Sequence, residues 1–306
     1  MHKITNVSVL SNITRLGITN PMRAYSTLRR WRRMQNVTKG VLRARNVDAI
    51  DWTADAGLPA DPADHLFMSF HYGLWYMTLA ALAKATGRHR VYCLVGKIDP
   101  SYSDRMAAMA RAAGIEIVLV PGGIAMLRGV RQARAEGALI FVLVDVPWGL
   151  TDEADRHFPF MGGFIEAKSA LFTFAERAGL KPHLLVADHD GATHTTVIRN
   201  HAVQSQAHCF ELLDRYVRAK PWLWERLIDM HKYVSTAVEP LHLPFRLAQD
   251  FFVARMGDLK VTRVNKSLYE LMLRARKVAS AGYSAQADSI LKDIHATTTM
   301  DVRSVF

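Results

Sequence analysis

The stretch Leu66–Gly87, LFMSFHYGLWYMTLAALAKATG, decides how this chain is read. A short apolar run with strand character passes without a spacer into a longer apolar run that Gly87 closes as a helix stop. His71 stands at the junction, and Tyr76 follows five positions on. The same alternation continues outward. Residues 90–95 (RVYCLV), 115–120 (IEIVLV) and 138–145 (ALIFVLVD) read as strands. Residues 101–114, 122–137 and 165–179 read as helices, and HLLVAD (183–188) and HTTVIR (194–199) as two further strands around the turn HDGAT. This order predicts an α/β fold with a mostly parallel sheet flanked by helices. After residue 205 the chain is expected to be helical: 206–219, 222–234, and then 244–257, 267–280 and 284–297. The expected organisation is a basic N-terminal arm over 1–47, an α/β domain over 48–238 and a helical extension over 239–306.

The chain has 306 residues, half of them hydrophobic, with a net charge of +11. That composition fits a globular protein with a sizeable core. No apolar stretch is long enough to predict a membrane span, and no signal peptide is expected. Two cysteines, Cys93 and Cys209, form no framework, which points to a reducing, cytoplasmic setting. The charge is uneven. Residues 1–47 hold ten Lys or Arg and no acid, leaving 29 basic and 28 acidic residues in the rest. Asn20 as cap and Pro21 as first residue predict a helix through MRAYSTLRRWRRMQNVTKGVLRAR, with Ala24, Leu28 and Trp31 on one face. Such a helix suits an anionic membrane surface, where each basic side chain contributes about 1 kcal/mol. It equally suits a solvated helix packed on the main domain. A nucleic-acid partner is not expected.

Three places could carry chemistry. His71 falls at a strand end, where open α/β sheets bind ligands, and could take a proton from a hydroxyl. It could equally be a structural histidine packed on Trp75. Asp145 ends the most apolar strand and opens the loop VPWG. Gly162 and Gly163, in HFPFMGGFIEAKSA, allow close backbone approach and would free N–H groups at a helix start. HLLVAD also offers a histidine and an acid five apart, His183 and Asp188. Within a strand such residues face opposite sides, so this pair is set aside.

The blocks FMSFHYGLWYMTLAAL, VYCLVGKIDPSYSDRM, GIEIVLVPGGIAMLRGVRQARAEGALIFVLVDVPWG, HFPFMGGFIEAKSALFTFAERAGLKPHLLVAD and KPWLWERLIDMHK stand in one order over residues 20–235. That series resembles the late lipid A biosynthesis (lauroyl/myristoyl) acyltransferases of the lysophospholipid acyltransferase superfamily. The resemblance implies a bacterial, membrane-associated enzyme of lipid metabolism on the inner face of the cell membrane. It would move an acyl chain from an acyl-carrier-protein or CoA thioester to a hydroxyl or amine of a lipid or glycolipid acceptor. Beyond the thioester co-substrate, neither cofactor nor metal is implied. The family histidine falls on His71 and its strand-end aspartate on Asp145. Lys97, Trp75, Gly162 and Gly163 are expected to bind substrate. Two positions depart from the pattern. Tyr76 stands where the family has the acid that orients the histidine, and Cys93 stands near the family arginine, with Lys97 as the nearby cation. Two further readings therefore stay open: a diverged lipid- or thioester-binding member impaired in catalysis, and an acyltransferase for a secondary-metabolite acceptor.

Overall fold

The computed structural model describes residues 2–18, 21–44, 50–54, 57–59, 61–96, 100–145, 156–235, 242–247, 249–255 and 260–280. They divide into two compact units, one comprising Arg29–Arg226 with Tyr233–Ser235, the other Met1–Leu28, Leu227–Lys232 and Thr236–Phe306. This division differs from the expected three-part organisation: the basic arm is shared between the units rather than forming a segment of its own.

The larger unit is built on a seven-stranded sheet. Its strands are β1 (Asp51–Ala54), β2 (His65–Gly73), β3 (Arg90–Val95), β4 (Glu116–Pro121), β5 (Leu139–Leu143), β8 (Lys181–His189) and β9 (Thr195–Ala202). The spatial order is β1-β9-β8-β2-β5-β3-β4. Every neighbouring pair is parallel except the hairpin β8–β9. The helices α3 (Met77–Thr86), α4 (Pro100–Ala112) and α5 (Ile124–Ala135) make the crossovers between β2, β3, β4 and β5. The fold is therefore α/β with a mostly parallel sheet flanked by helices. Continuous burial along β2 and β5 matches their unbroken apolar runs, as expected of strands covered on both faces.

Topology positions the site. The first crossover leaves a gap between β2 and β3, and β5 later fills it. Residues 71 and 145 thereby come to the carboxyl ends of adjoining strands although 74 positions separate them.

Several elements differ from expectation. The extension beyond 239 is not wholly helical. β11 (His242–Leu247), β12 (Asp250–Arg255) and β13 (Lys260–Val264) form an antiparallel sheet before α8 (Lys266–Ser280). Pro244 is unsuited to a helix interior, and Phe251, Phe252, Val253, Val261, Thr262 and Val264 are β-branched or aromatic, so strand pairing wins over helix. The expected helix over 284–297 lies outside the described residues, as does Asn20. Residues 222–234 form short 3₁₀ turns and strand β10 (Val234–Ser235) rather than a helix. The helix expected over 165–179 starts only at Ala170, as α6 (Ala170–Arg177), because a hairpin of β6 (Arg156–Phe160) and β7 (Gly163–Ala167) takes the residues before it. Near the N-terminus α1 (His2–Arg15) precedes the foreseen α2 (Pro21–Ala44). On α2, Ala24, Leu28, Trp31, Met34 and Val41 are buried, while Arg23, Arg29, Arg30, Arg32, Arg33 and Lys39 are exposed. Among the described residues no helix is long and apolar enough to cross a membrane.

Candidate active site

His71 does not end its strand: β2 continues to Gly73. Its register against β8 shifts between Ser69 and Gly73, and its pairing with β5 stops at Ser69↔Leu143. Such an irregularity re-aims side chains and removes backbone groups from the ladder. Gly73 makes the local path possible. Its φ is +60°, and a Cβ there would lie 1.9 Å from the Ala187 carbonyl oxygen. The freed His71 backbone N–H points at the Asp145 carboxylate, 3.1 and 3.0 Å from its two oxygens.

The side chains meet as well. His71 Nδ1 lies 2.9 Å from Asp145 Oδ1. The opposite oxygen, Oδ2, accepts from the Trp224 indole N–H at 2.9 Å. Asp145 is 1% exposed and His71 5%, so the pair is screened little by solvent. Burial by itself would push the Asp145 carboxyl up. The charge and hydrogen bond of His71, the Trp224 N–H and the charge of Arg226 outweigh burial and hold its pKa below the ordinary value. An ionised carboxylate only accepts, so Nδ1 carries the proton and Nε2 is left as the basic nitrogen.

Trp224 reaches Asp145 because Tyr72, next to His71, forms an isolated antiparallel bridge with it. The Trp31 indole N–H of α2 donates to the Trp224 carbonyl at 3.2 Å, and the Phe160 ring packs on its indole at 5.4 Å. Helix α7 (Gln206–Ala219), capped by Ser205, delivers the chain to this segment, and Tyr72 Oη donates to the Tyr216 carbonyl near its end. Trp224 was not among the residues singled out from the sequence, although the block KPWLWERLIDMHK was. A tryptophan-rich segment signals packing, and only the bridge to Tyr72 turns it into a contact with Asp145.

The remaining candidates are placed as follows. Tyr76 adjoins the start of α3, 1% exposed, and its hydroxyl has no hydrogen-bond partner among the described residues. Burial, then the charge of Glu225, raises its pKa well above the ordinary phenol. It does not orient His71, because Asp145 already occupies Nδ1. Trp75 is buried edge-on to His71, with ring centroids 5.7 Å apart. Gly162 and Gly163 do not begin a helix. They belong to the turn and second strand of the β6–β7 hairpin, with Met161 and Gly162 at positive φ. A three-dimensional role for Lys97 lies outside the described residues. Cys93 is buried in β3 and burial pushes its thiol to about 12, so this position offers neither cation nor reactive thiolate. His183 and Asp188 do fall within one strand, β8. His183 packs on His65, and Asp188 pairs with Lys220 at 2.7 Å.

An open cleft of about 370 Å³, lined by Gly87, Arg88, Arg90, Glu116 and Glu136 among others, lies toward the amino ends of β3, β4 and β5. Arg90 pairs with Glu116 and Glu136 at 3.6 and 3.4 Å there. Parallel sheets place their chemistry at the opposite, carboxyl end, where the buried His71 and Asp145 sit. Among the described residues no group of three or more His, Cys, Asp or Glu is placed to hold a metal ion. In comparisons with protein-family models and with curated proteins, nothing matches the chain.

Proposed function

We propose that the protein is an acyltransferase, moving an acyl chain from an acyl-carrier-protein or CoA thioester to a hydroxyl or amine of a lipid or glycolipid acceptor. The observation that carries this reading is the His71–Asp145 hydrogen bond at the carboxyl edge of the sheet, with Asp145 braced by Trp224. Nε2 of His71 takes the acceptor's proton as the acceptor oxygen or nitrogen attacks the thioester carbonyl carbon. The new C–O or C–N bond forms, the C–S bond breaks, and His71 returns the proton to the departing thiolate. Asp145 holds the ring in its tautomer and stabilises the imidazolium that forms. The resemblance to the lipid A acyltransferases supports the choice of thioester and lipid.

A peripheral position on the inner face of the cell membrane is part of this proposal. The exposed arginines of α2, with Met22 and Tyr25 exposed beside them, support it. One observation favours a second reading, a diverged member that holds a lipid or thioester without transferring it. The acid position carries Tyr76, whose hydroxyl pairs with nothing among the described residues. An assay of thiol release and acylated product, from acyl-carrier-protein and CoA thioesters with lipid, glycolipid and amine acceptors, separates the two. Transfer abolished in His71→Ala supports the first reading. Thioester binding with no thiol released supports the second, and transfer unchanged in His71→Ala would sink the role of His71.

A further inference from the structure

The tip of the β6–β7 hairpin folds inward, and helix α7 holds it there. Phe160 pairs with Gly163, so the loop consists of Met161 and Gly162. Their φ values are +52° and +78°, the pattern of a type I′ turn, which requires positive φ at both positions. Asparagine or glycine takes the first of these positions readily; methionine does not. Met161 stands there all the same, and it is buried. In a two-residue hairpin the N–H of the first loop residue has no partner across the ladder, and at an exposed tip water takes it. Here that N–H donates to Asp214 Oδ1 of α7 at 2.5 Å. Arg218, one helical turn on, fixes the carboxylate: its Nε donates to Oδ2 at 2.5 Å and its Nη2 to Oδ1 at 3.2 Å. Asp214 thus supports from outside a backbone conformation that Met161 itself disfavours.

The turn so held leads to the His71 centre. Phe158 and Phe160 are buried and alternate with exposed residues along β6, so both rings face inward. Phe158 packs on Phe210 of α7 with ring centroids 5.0 Å apart, and Phe210 and Asp214 share one face of that helix at i and i+4 spacing. The face grips the hairpin twice, ring against ring and carboxylate against backbone. Phe160 adjoins Met161 and packs on the Trp224 indole at 5.4 Å. The backbone of Trp224 is tied by its bridge to Tyr72 and by the Trp31 N–H. Its indole is set by rings, those of Phe160 and of Tyr233 at 6.4 Å. The direction of the indole decides whether its N–H meets Asp145 Oδ2.

Resting on the acyl-transfer reading, we infer that Asp214 is a positioning residue of the His71 centre: through the Met161 N–H it holds the β6–β7 turn, and through Phe160 the turn holds the Trp224 indole on Asp145. Losing the carboxylate leaves the N–H of a buried residue unpaired at a disfavoured φ, and frees the turn to draw Phe160 off the indole. Asp145 then loses the donor on the oxygen opposite His71, while its own contact with His71 remains.

Two measurements on the full chain test this. Tryptophan labelled with ¹⁵N gives six indole signals, and Trp224→Phe identifies one of them. Asp214→Ala is expected to move the Trp224 signal. In turnover the same variant is expected to lower kcat about 10- to 100-fold with KM within about twofold, the pattern of a misplaced transition-state contact rather than of lost substrate binding. Asp214→Asn, which keeps an acceptor for the Met161 N–H, is expected to recover most of both effects. Phe160→Leu, which withdraws the ring and leaves the turn, is expected to move the Trp224 signal and lower kcat as Asp214→Ala does, and it serves where Asp214→Ala does not fold. A Trp224 signal unmoved in Asp214→Ala or in Phe160→Leu overturns the inference, as does wild-type kcat in either folded variant. Asp214→Asn as impaired as Asp214→Ala overturns it too, because an acceptor for Met161 would then not be what matters. A wild-type protein that releases no thiol sinks the transfer reading alone, and the indole signal then decides the place of Asp214 by itself.

Discussion

Two segments of this molecule offer a histidine with a residue of interest five positions on, and they behave oppositely. In β8, His183 and Asp188 complete the pattern in sequence, yet they lie on one extended strand and face different neighbours, His65 and Lys220. In β2 and the turn after it, His71 is followed by Tyr76, which breaks the pattern, yet His71 has a buried carboxylate at 2.9 Å. The strand that supplies it is the neighbour, not the chain continuing from the histidine. In a parallel sheet, residues at the same end of adjoining strands are closer than residues five apart along one of them. Partners for a strand-end histidine are therefore sought across the sheet.

Changes at the β2 centre are expected to break this contrast most. Gly73→Ala places a Cβ against the Ala187 carbonyl oxygen at a positive φ. It should destabilise the protein by about 3–5 kcal/mol, read as a lowered denaturation midpoint with an unchanged slope. Asp145→Asn keeps the shape but removes the charge and the tautomer constraint. A fall in kcat of about 10³–10⁴-fold is expected from the precedent of orienting carboxylates. Activity within tenfold of wild type would show that Asp145 is only structural.

Trp224→Phe keeps most of the packing on Phe160 and deletes one hydrogen bond to an ionised carboxylate. About 1.5–3 kcal/mol of stability should go with it, measurable by urea unfolding. The pH dependence of stability then reads two acids, Asp145 and Glu225, whose folded pKa values move in opposite directions. Asp145 has a folded pKa below its unfolded value. Its contribution is complete above the ordinary aspartate range and is lost as pH falls through the folded value. Glu225 has a folded pKa above its unfolded value. Its contribution is complete below the ordinary glutamate range and is lost as pH rises through the folded value. Unfolding free energies measured from pH 3 to 8 should therefore lose acid sensitivity in Asp145→Asn and lose part of the decline above the glutamate range in Glu225→Gln. The smallest effect is expected for His183→Ala, with turnover within about twofold of wild type, because β8 contributes packing rather than a reacting group. A large loss there would erase the distinction between the two segments.

Much of the α/β core was legible in the sequence. Apolar runs such as ALIFVLV and RVYCLV, separated by helix-length segments with glycine stops, carry their period and their boundaries locally. The region after residue 220 was less so. PFRLAQDFFVARMG has enough apolar residues to pass for a helix, and only pairing of its two halves with each other, and of the second with Lys260–Val264, makes them strands. The site was partly legible. His71 and Asp145 could be singled out because each terminates an apolar run. Trp224 could not, because a tryptophan in a short turn carries no signal until the chain folds back on Tyr72.

By itself the sequence determined which residues are strand-like and helix-like, where the basic residues cluster, and that His71 and Asp145 stand at the ends of apolar runs. Periodicity, charge and punctuation by glycine and proline act over a few residues, so they can be read without geometry. Tertiary structure alone decided that Asp145 rather than Tyr76 meets Nδ1, and that Trp224 braces the carboxylate. Each of those contacts joins residues more than seventy positions apart, and strand order and one bulge in β2 bring them within hydrogen-bond reach.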